Sequence, residues 1–338
     1  MNNNINICYA ADNMYVMQAG ISMLSVLKHN ENVNFYLLCD DYTTDNIDKL
    51  KKIEKEYKCN IFFINCKKNL KILNDTVLFN DNSKMKNGLI TFMYARLFVG
   101  SLLPQSIDRI IYLDCDTLVN GNLKDLYDRN VNGIFAAVRD VWPVKHNKLI
   151  NFKKDDVYFN SGVLLINLDE WRKKEAENMI INHVRNLKDD YYQRDQDILN
   201  IVFKDRIDTL PLEYNMMYIT RAYKPKLIQN FSDRPVSSYY DIKEIEYAKK
   251  NIKIIHFAGE FFGRPWIFMN MYKDSKLWGY YLKNSPWKDY KPILSTKKYC
   301  LKYIKYFFAD LLKYIWYFRT KKRFNKSIEN QLKIRKIL

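Results

Sequence analysis

Apolar and polar positions alternate between two rhythms along the first two-thirds of this chain. Residues 5–12 (INICYAAD) read as a strand that ends in an acid, and residues 17–29 have the composition and apolar spacing of a helix. Residues 33–41 (VNFYLLCDD) give a second strand, residues 43–57 a charged amphipathic helix, and residues 59–66 (CNIFFINC) a third strand. Residues 88–100 predict a helix, or a helix and a turn, leading into an apolar strand at 110–113. Further strands are predicted at 133–140 and 158–168, helices at 169–187 and 195–203, and a late strand at 252–259. After Trp266 aromatic residues become denser and the sheet pattern stops. This β-α-β-α-β order predicts an α/β fold with a mostly parallel, doubly wound sheet and helices on both faces.

Near the end, Leu301, Ile304, Phe307, Phe308, Leu311, Leu312, Ile315 and Phe318 follow helical spacing, with Lys302, Lys305 and Lys313 on another side. The run is too short and too charged for a membrane span. A basic amphipathic helix with bordering tyrosines suits an anionic membrane surface, and Arg319, Lys321, Lys322 and Arg323 would each add on the order of 1 kcal/mol near such a surface. The alternative is a helix packed on the main domain with a solvated basic side.

Charge sharpens that picture. The 338 residues carry a net +17, yet residues 297–338 hold 13 Lys/Arg against two acids, a net +11. The rest of the chain is close to balanced, which argues against a nucleic-acid-binding body. The amino terminus lacks the basic and apolar regions of a signal peptide, and the six cysteines form no CxxC pair. Both point to reduced thiols and a cytoplasmic protein.

Ligands on doubly wound sheets sit beyond the carboxyl ends of the strands. Asp12, Asp40, Asp41, Asp114 and Asp116 all fall at such ends. Asp114 and Asp116, one residue apart, suit Mg²⁺ or Mn²⁺, which take one or two carboxylates and complete their shell with substrate phosphate. Residues 114–119 (DCDTLV) also come close to the Asp-x-Asp-x-Thr-[Leu/Val] motif of haloacid-dehalogenase-type phosphatases, where the first Asp is a nucleophile. That motif normally opens its domain, whereas here a nucleotide-binding-like half precedes it.

His256 at a strand end reads either as a core histidine or as a third metal ligand. Arg264-Pro265-Trp266 offers a cation on a constrained turn. Asp195-Gln196-Asp197 opens a helix, where acids are also expected from capping and the helix dipole. Asn160-Ser161-Gly162 reads either as a bulge or as a ligand-facing turn.

Taken in order, AAD (10–12), YARL (94–97), YLDCDTLV (112–119), FNSGVLLINLDEW (159–171), DQDILN (195–200) and HFAG…RPW (256–266) resemble glycosyltransferase family 8. The likeness is greatest to bacterial enzymes that add galactose or glucose to lipooligosaccharide and lipopolysaccharide cores. It implies a GT-A fold at 1–267, with a mixed doubly wound sheet, and a small basic helical appendage at 268–338. It also implies a retaining transferase using Mn²⁺ (or Mg²⁺) and a UDP-sugar, with a glycan or glycolipid as acceptor. Asp114, Asp116 and His256 would hold the metal. Ala10, Asp12 and Arg96 would face the donor, and Gly259 and Arg264 its phosphates. Asn160, Asp195 and Gln196 would line the sugar pocket, with Gln196 near the anomeric carbon. The appendage would attach the enzyme peripherally to the inner face of the cell membrane.

Two departures stand out. Family members usually show Lys-Pro-Trp three residues after the loop glycine; here Arg264 takes that place, five residues after Gly259. Met14 stands where relatives often carry a polar residue near the nucleotide. The acceptor is expected to meet variable loops such as 141–157 and 216–250.

Overall fold

The structure, a computed structural model, describes residues 4–39, 41–67, 71, 92–187, 191–258, 264–267, 273–291 and 313–335. Among the described residues, ten strands make two sheets. The larger runs β3-β2-β1-β4-β7-β6-β8, and the smaller β5-β10-β9. Their ranges are β1 Ile5–Ala10, β2 Val33–Cys39, β3 Asn60–Asn65, β4 Arg109–Leu113, β5 Thr117–Val119, β6 Phe135–Arg139, β7 Phe159–Asn167, β8 Ile207–Thr209, β9 Met216–Met217 and β10 Ile254–His256. β1 to β4 pair in parallel, as the alternating pattern predicts, but β7 runs antiparallel to both β4 and β6, so the sheet is mixed. This is an α/β fold of the GT-A type.

Helices cover both faces. Those of six residues or more, among the described residues, are α1 Val16–Leu27, α2 Thr44–Tyr57, α3 Leu168–Lys173, α4 Ala176–Arg185, α5 Asp195–Val202, α6 Pro225–Ser232, α7 Ile242–Lys250, α8 Lys273–Lys283 and α9 Lys313–Ile334. Successive strand residues point to opposite faces. In β1, Ile5, Ile7 and Tyr9 therefore join a core with α1, whereas Cys8 joins a second core with Trp171, Ile180 and Ile198 of α3, α4 and α5.

One helix predicted at 169–187 is two. Trp171 is buried and Arg172 donates to the carbonyls of Gly100, Leu103, Pro104 and Ile107, tying α3 to the turn before β4. The chain then passes through Glu175 at φ 50°, and α4 begins afresh. Tertiary anchoring overrides a continuous periodic pattern here.

The segment predicted at 88–100 is described from residue 92, as a 3₁₀ turn at Ala95–Phe98 followed by a helical turn at Val99–Leu102. Of the terminal amphipathic helix predicted at 298–318, residues before 313 lie outside the described residues, as does Asp40. Beyond 313, α9 packs on the body: Tyr317, Ile328 and Leu332 are fully buried. The Phe324 ring centroid lies 4.5 Å from Trp142 and 5.7 Å from Phe231. Trp278, Tyr281, Leu282 and Trp287 join the same core as α1. No helix among the described residues is long and apolar enough to cross a membrane.

Candidate active site

Asp114 and Asp116 lie in a tight turn between β4 and β5. The Asp114 carbonyl accepts from the Thr117 N–H (3.1 Å) and hydroxyl (2.8 Å), and the Asp114 N–H donates to the Gly162 carbonyl on β7 (2.8 Å). Antiparallel pairing of β10 with β5 sets His256 opposite Thr117, and the Phe257 N–H closes on the Asp116 carbonyl (2.8 Å). A histidine 140 positions away thus reaches the acids. Its Nε2 lies 3.1 Å from Asp116 Oδ1 and 3.7 Å from Asp114 Oδ2, and the potential ligand atoms of the three side chains all lie within 4.8 Å of one another.

The histidine's other nitrogen decides its state. Asn215 Nδ2 donates to Asn160 Oδ1 (2.8 Å), so Asn215 Oδ1 is left to accept from His256 Nδ1 (2.8 Å). Nε2 then carries the lone pair, and it points at two carboxylates. Such a contact is repulsive unless a cation or a proton lies between them. The donor set, one imidazole and two carboxylates, suits Mn²⁺. Burial alone would depress the His256 pKa, but Asp116 and Asp114 outweigh it and raise it. Burial would raise Asp116, yet His256 and then Arg264 hold it at about 2.

Arg96 is buried and works as a strut. It donates to Asp114 Oδ1 (2.7 Å) and the Ser161 carbonyl (2.6 Å), and its Nε lies 3.1 Å from Asp195 Oδ2. Its guanidinium sits 4.6 Å from the Tyr112 ring centroid. It also borders both cavities, on the side where the resemblance expects it to face the donor.

Of the three polar residues that open α5, two face the site. Asp195 is only 4% exposed, and burial, opposed by Arg96, pushes its pKa up to about 6. Gln196 Nε2 donates to Asp140 Oδ2 (3.0 Å), while its Oε1 accepts from Asn160 Nδ2 and the Ser161 N–H (both 3.1 Å). Asp197 is structural: it accepts from the Tyr158 hydroxyl (2.6 Å) and the Gln193 N–H (2.8 Å). Arg194, just before, adopts φ 48°, ψ −117°, a sparsely populated conformation that turns Asp195 inward.

Two residues escaped the sequence reading. Asp140, 1% exposed, accepts from Asn160 Nδ2 (2.8 Å) and Gln196 Nε2, and burial raises its pKa. It ends a predicted strand, the same signal that singled out Asp114. Asn215 has no such signal, since it lies between a single 3₁₀ turn and a two-residue strand. Together they complete a hydrogen-bonded chain from Asp140 through Gln196, Asn160 and Asn215 to His256.

Two adjoining cavities share Arg96, Asp114, Asp116 and Arg264. The smaller, of about 220 Å³, is bordered by Ala10, Asp12, Tyr15 and Cys115. The larger, of about 620 Å³, takes in Asn160, Asp195, Gln196 and His256. Asp12 accepts from the N–H groups of Met14 and Tyr15 (both 2.9 Å), capping the turn into α1, while Met14 itself is 60% exposed. Arg264 donates to the Tyr15 hydroxyl (2.8 Å) and lies 3.6 Å from Asp116 Oδ2. Gly259 lies outside the described residues.

A family profile described as Glycosyl transferase family 8 matches residues 6–269. The chain is 28% identical over 297 residues to lipopolysaccharide 1,2-glucosyltransferase of Escherichia coli, covering 85% of this chain and 80% of that one. It is 26% identical over 340 residues to lipopolysaccharide 1,3-galactosyltransferase of Salmonella typhimurium, covering 94% and 91%. The galactosyltransferase LgtC, solved with donor and acceptor sugar analogues, superposes with a TM-score of 0.66 at 21% identity, over 88% of this chain and all of that one. The phosphatase alternative raised by the Asp-x-Asp wording is not favoured.

Proposed function

The chain belongs to glycosyltransferase family 8 and is a glycosyltransferase; from that premise we propose that it moves a hexose, glucose or galactose, from a UDP-sugar onto a sugar hydroxyl of a lipopolysaccharide-type surface glycan, with retention of configuration. The observation that carries this reading is the convergence of Asp114, Asp116 and His256 beside Arg264, at the junction of the two cavities.

In this reading Ala10 and Asp12 meet the nucleoside in the smaller cavity. Asp114, Asp116 and His256 hold Mn²⁺ or Mg²⁺ at the junction. A bound divalent cation supplies Lewis-acid neutralisation of the diphosphate. Arg264 adds a bidentate cation on the same charge, with Gly259 expected alongside. Asn160, Asp195 and Gln196 hold the hexose.

Breaking the bond between the anomeric carbon and the phosphate oxygen leaves positive charge on the sugar, which the ionised Asp195 stabilises across the site. The Gln196 amide is a poor nucleophile, and its oxygen already accepts two hydrogen bonds. We therefore favour attack by the acceptor hydroxyl on the face the phosphate leaves, with the departing phosphate oxygen taking the proton. Trapping a covalent glycosyl adduct on Asp195 of the wild-type enzyme would sink this route.

Residues 268–338 are proposed to be a carboxyl-terminal appendage to the 1–267 domain that seats the enzyme peripherally on the cytoplasmic face of the membrane, through the exposed basic side of α9. The decisive experiment measures UDP release from a panel of UDP-sugars with Mn²⁺ and no acceptor, with Asp116→Ala as control. Release from one donor, abolished by the substitution and by chelation, is expected. Silence across the panel would defeat the reading.

A further inference from the structure

Two kinds of residue line the larger cavity: polar ones, Asp114, Asp116, Asn160, Asp195 and Gln196, and aromatic ones, Trp142, Tyr192, Phe231 and Phe324, which form its aromatic end. The polar end adjoins the smaller cavity and accounts for the nucleotide sugar. None of the four rings borders the smaller cavity. Four separate segments supply these rings: the loop after β6, the turn before α5, α6, and α9.

α9 is held there by specific contacts. The Tyr192 hydroxyl lies 2.7 Å from the Ser327 hydroxyl, the Tyr317 hydroxyl donates to the Leu227 carbonyl (2.9 Å), and Lys145 pairs with Glu329. Ile328 and Leu332 pack with Leu149, Ile150 and Tyr158. Phe324 meets Trp142 edge-on, at an interplanar angle of 69°. The Trp142 N–H donates to Asp140 Oδ1 (3.0 Å), and Asp140 Oδ2 accepts from Gln196 and Asn160. One carboxylate therefore sets the aromatic end in register with the sugar pocket.

We infer that α9 is a wall of the acceptor subsite, with Phe324 as the ring on which an acceptor pyranose is laid. A pyranose presents an apolar face of C–H groups beside its hydroxyls. An aromatic ring, with its negative face, receives such a surface, and the partly exposed rings of Trp142, Tyr192 and Phe324 beside the polar residues of the cavity match it. Residues far from the sheet pattern, in the carboxyl-terminal appendage, thus select the acceptor while the body binds the donor. The inference rests on the transfer reaction proposed above.

The test uses the full chain with Mn²⁺ and the UDP-sugar it hydrolyses, and follows the stimulation of UDP release by free methyl glucosides, methyl galactosides, lactose and deacylated lipopolysaccharide core. The half-saturating concentration of the best sugar should rise at least tenfold in Phe324→Ala and in Phe324→Leu, with the donor KM moving less than twofold. Phe324→Tyr, which keeps the ring, should restore it to within threefold, and Asn330→Ala on the exposed side of α9 should change neither value. Melting temperatures report folding, and Phe324→Leu, which preserves apolar volume, stands in if the alanine variant fails to fold. Acceptor values within threefold of wild type, or donor and acceptor values shifting together, would overturn the inference. So would a wild-type enzyme that hydrolyses its donor but is stimulated by no sugar in the panel. Failure to hydrolyse any donor would instead defeat the transfer reaction itself.

Discussion

His256 is oriented by Asn215, and that pairing makes a measurable claim. The amide fixes which ring nitrogen carries the proton and so keeps Nε2 turned toward Asp114 and Asp116. Partners of this kind are worth about 10- to 100-fold in metal affinity. Asn215→Leu should therefore weaken Mn²⁺ binding by about that factor in a titration followed by electron paramagnetic resonance, with the fold intact. Asp195 gives a second claim, through pH. Burial raises its pKa to about 6, so the folded protein holds this proton more tightly than the unfolded chain. An acid of that kind costs stability as pH rises from its ordinary value of about 4 through about 6, and the whole cost is present above that. Wild type should lose on the order of 2–3 kcal/mol relative to Asp195→Asn across this window, read from urea denaturation at a series of pH values. A difference between the two proteins that stays flat from pH 4 to 7 would contradict the assignment.

β7 shows how an element can be predicted while its purpose stays hidden. Its apolar run was plain in the sequence, but Asn160-Ser161-Gly162 fitted a bulge as well as a ligand-facing turn. The structure supplies the reason for the glycine: a Cβ at 162 would lie 2.2 Å from His256 Cε1 and 2.8 Å from Asp114 Oδ2. Gly162→Ala should push the ligands apart, costing about 1–3 kcal/mol of stability, as overpacking does, and weakening Mn²⁺ binding in the same titration. The first three strands, α1, α2 and the strand-end acids were legible because each carries a strong local period and an abrupt polar end. Asp140, at the end of the strand predicted at 133–140, carries the same mark. Other features lie below any local signal. β8 and β9 are three and two residues long, the α3–α4 break depends on where Arg172 finds its carbonyl partners, and the antiparallel direction of β7 appears only in its pairing with β4 and β6. His256 was legible as a candidate, but its meeting with Asp116 depends on the pairing of two three-residue strands.

At the scale of the whole molecule, the uneven charge takes a position in space. α9 turns Tyr317, Ile328 and Leu332 inward, and exposes Phe318, Arg319, Lys322, Arg323, Lys326 and Lys333. The inner side of this helix brings Phe324 to the large cavity, so under the proposed function a surface that attracted the outer side would lie near the route a membrane-borne acceptor would take. Each basic side chain near an anionic surface contributes about 1 kcal/mol, and the attraction fades beyond a Debye length of about 8 Å at physiological salt. The full chain should therefore pellet with vesicles containing anionic phospholipid and stay in solution with purely zwitterionic ones. Raising the salt to about 1 M, where the Debye length shrinks to about 3 Å, should release it. Reversing Lys322 and Lys326 together to glutamate changes four units of charge on one exposed side without touching the buried contacts. That variant should keep its melting temperature, its donor hydrolysis and its response to free sugars, and lose most of its vesicle binding. Binding that is equal on neutral vesicles, or indifferent to the reversal, would place membrane attachment elsewhere in the chain and leave α9 only its role at the cavity.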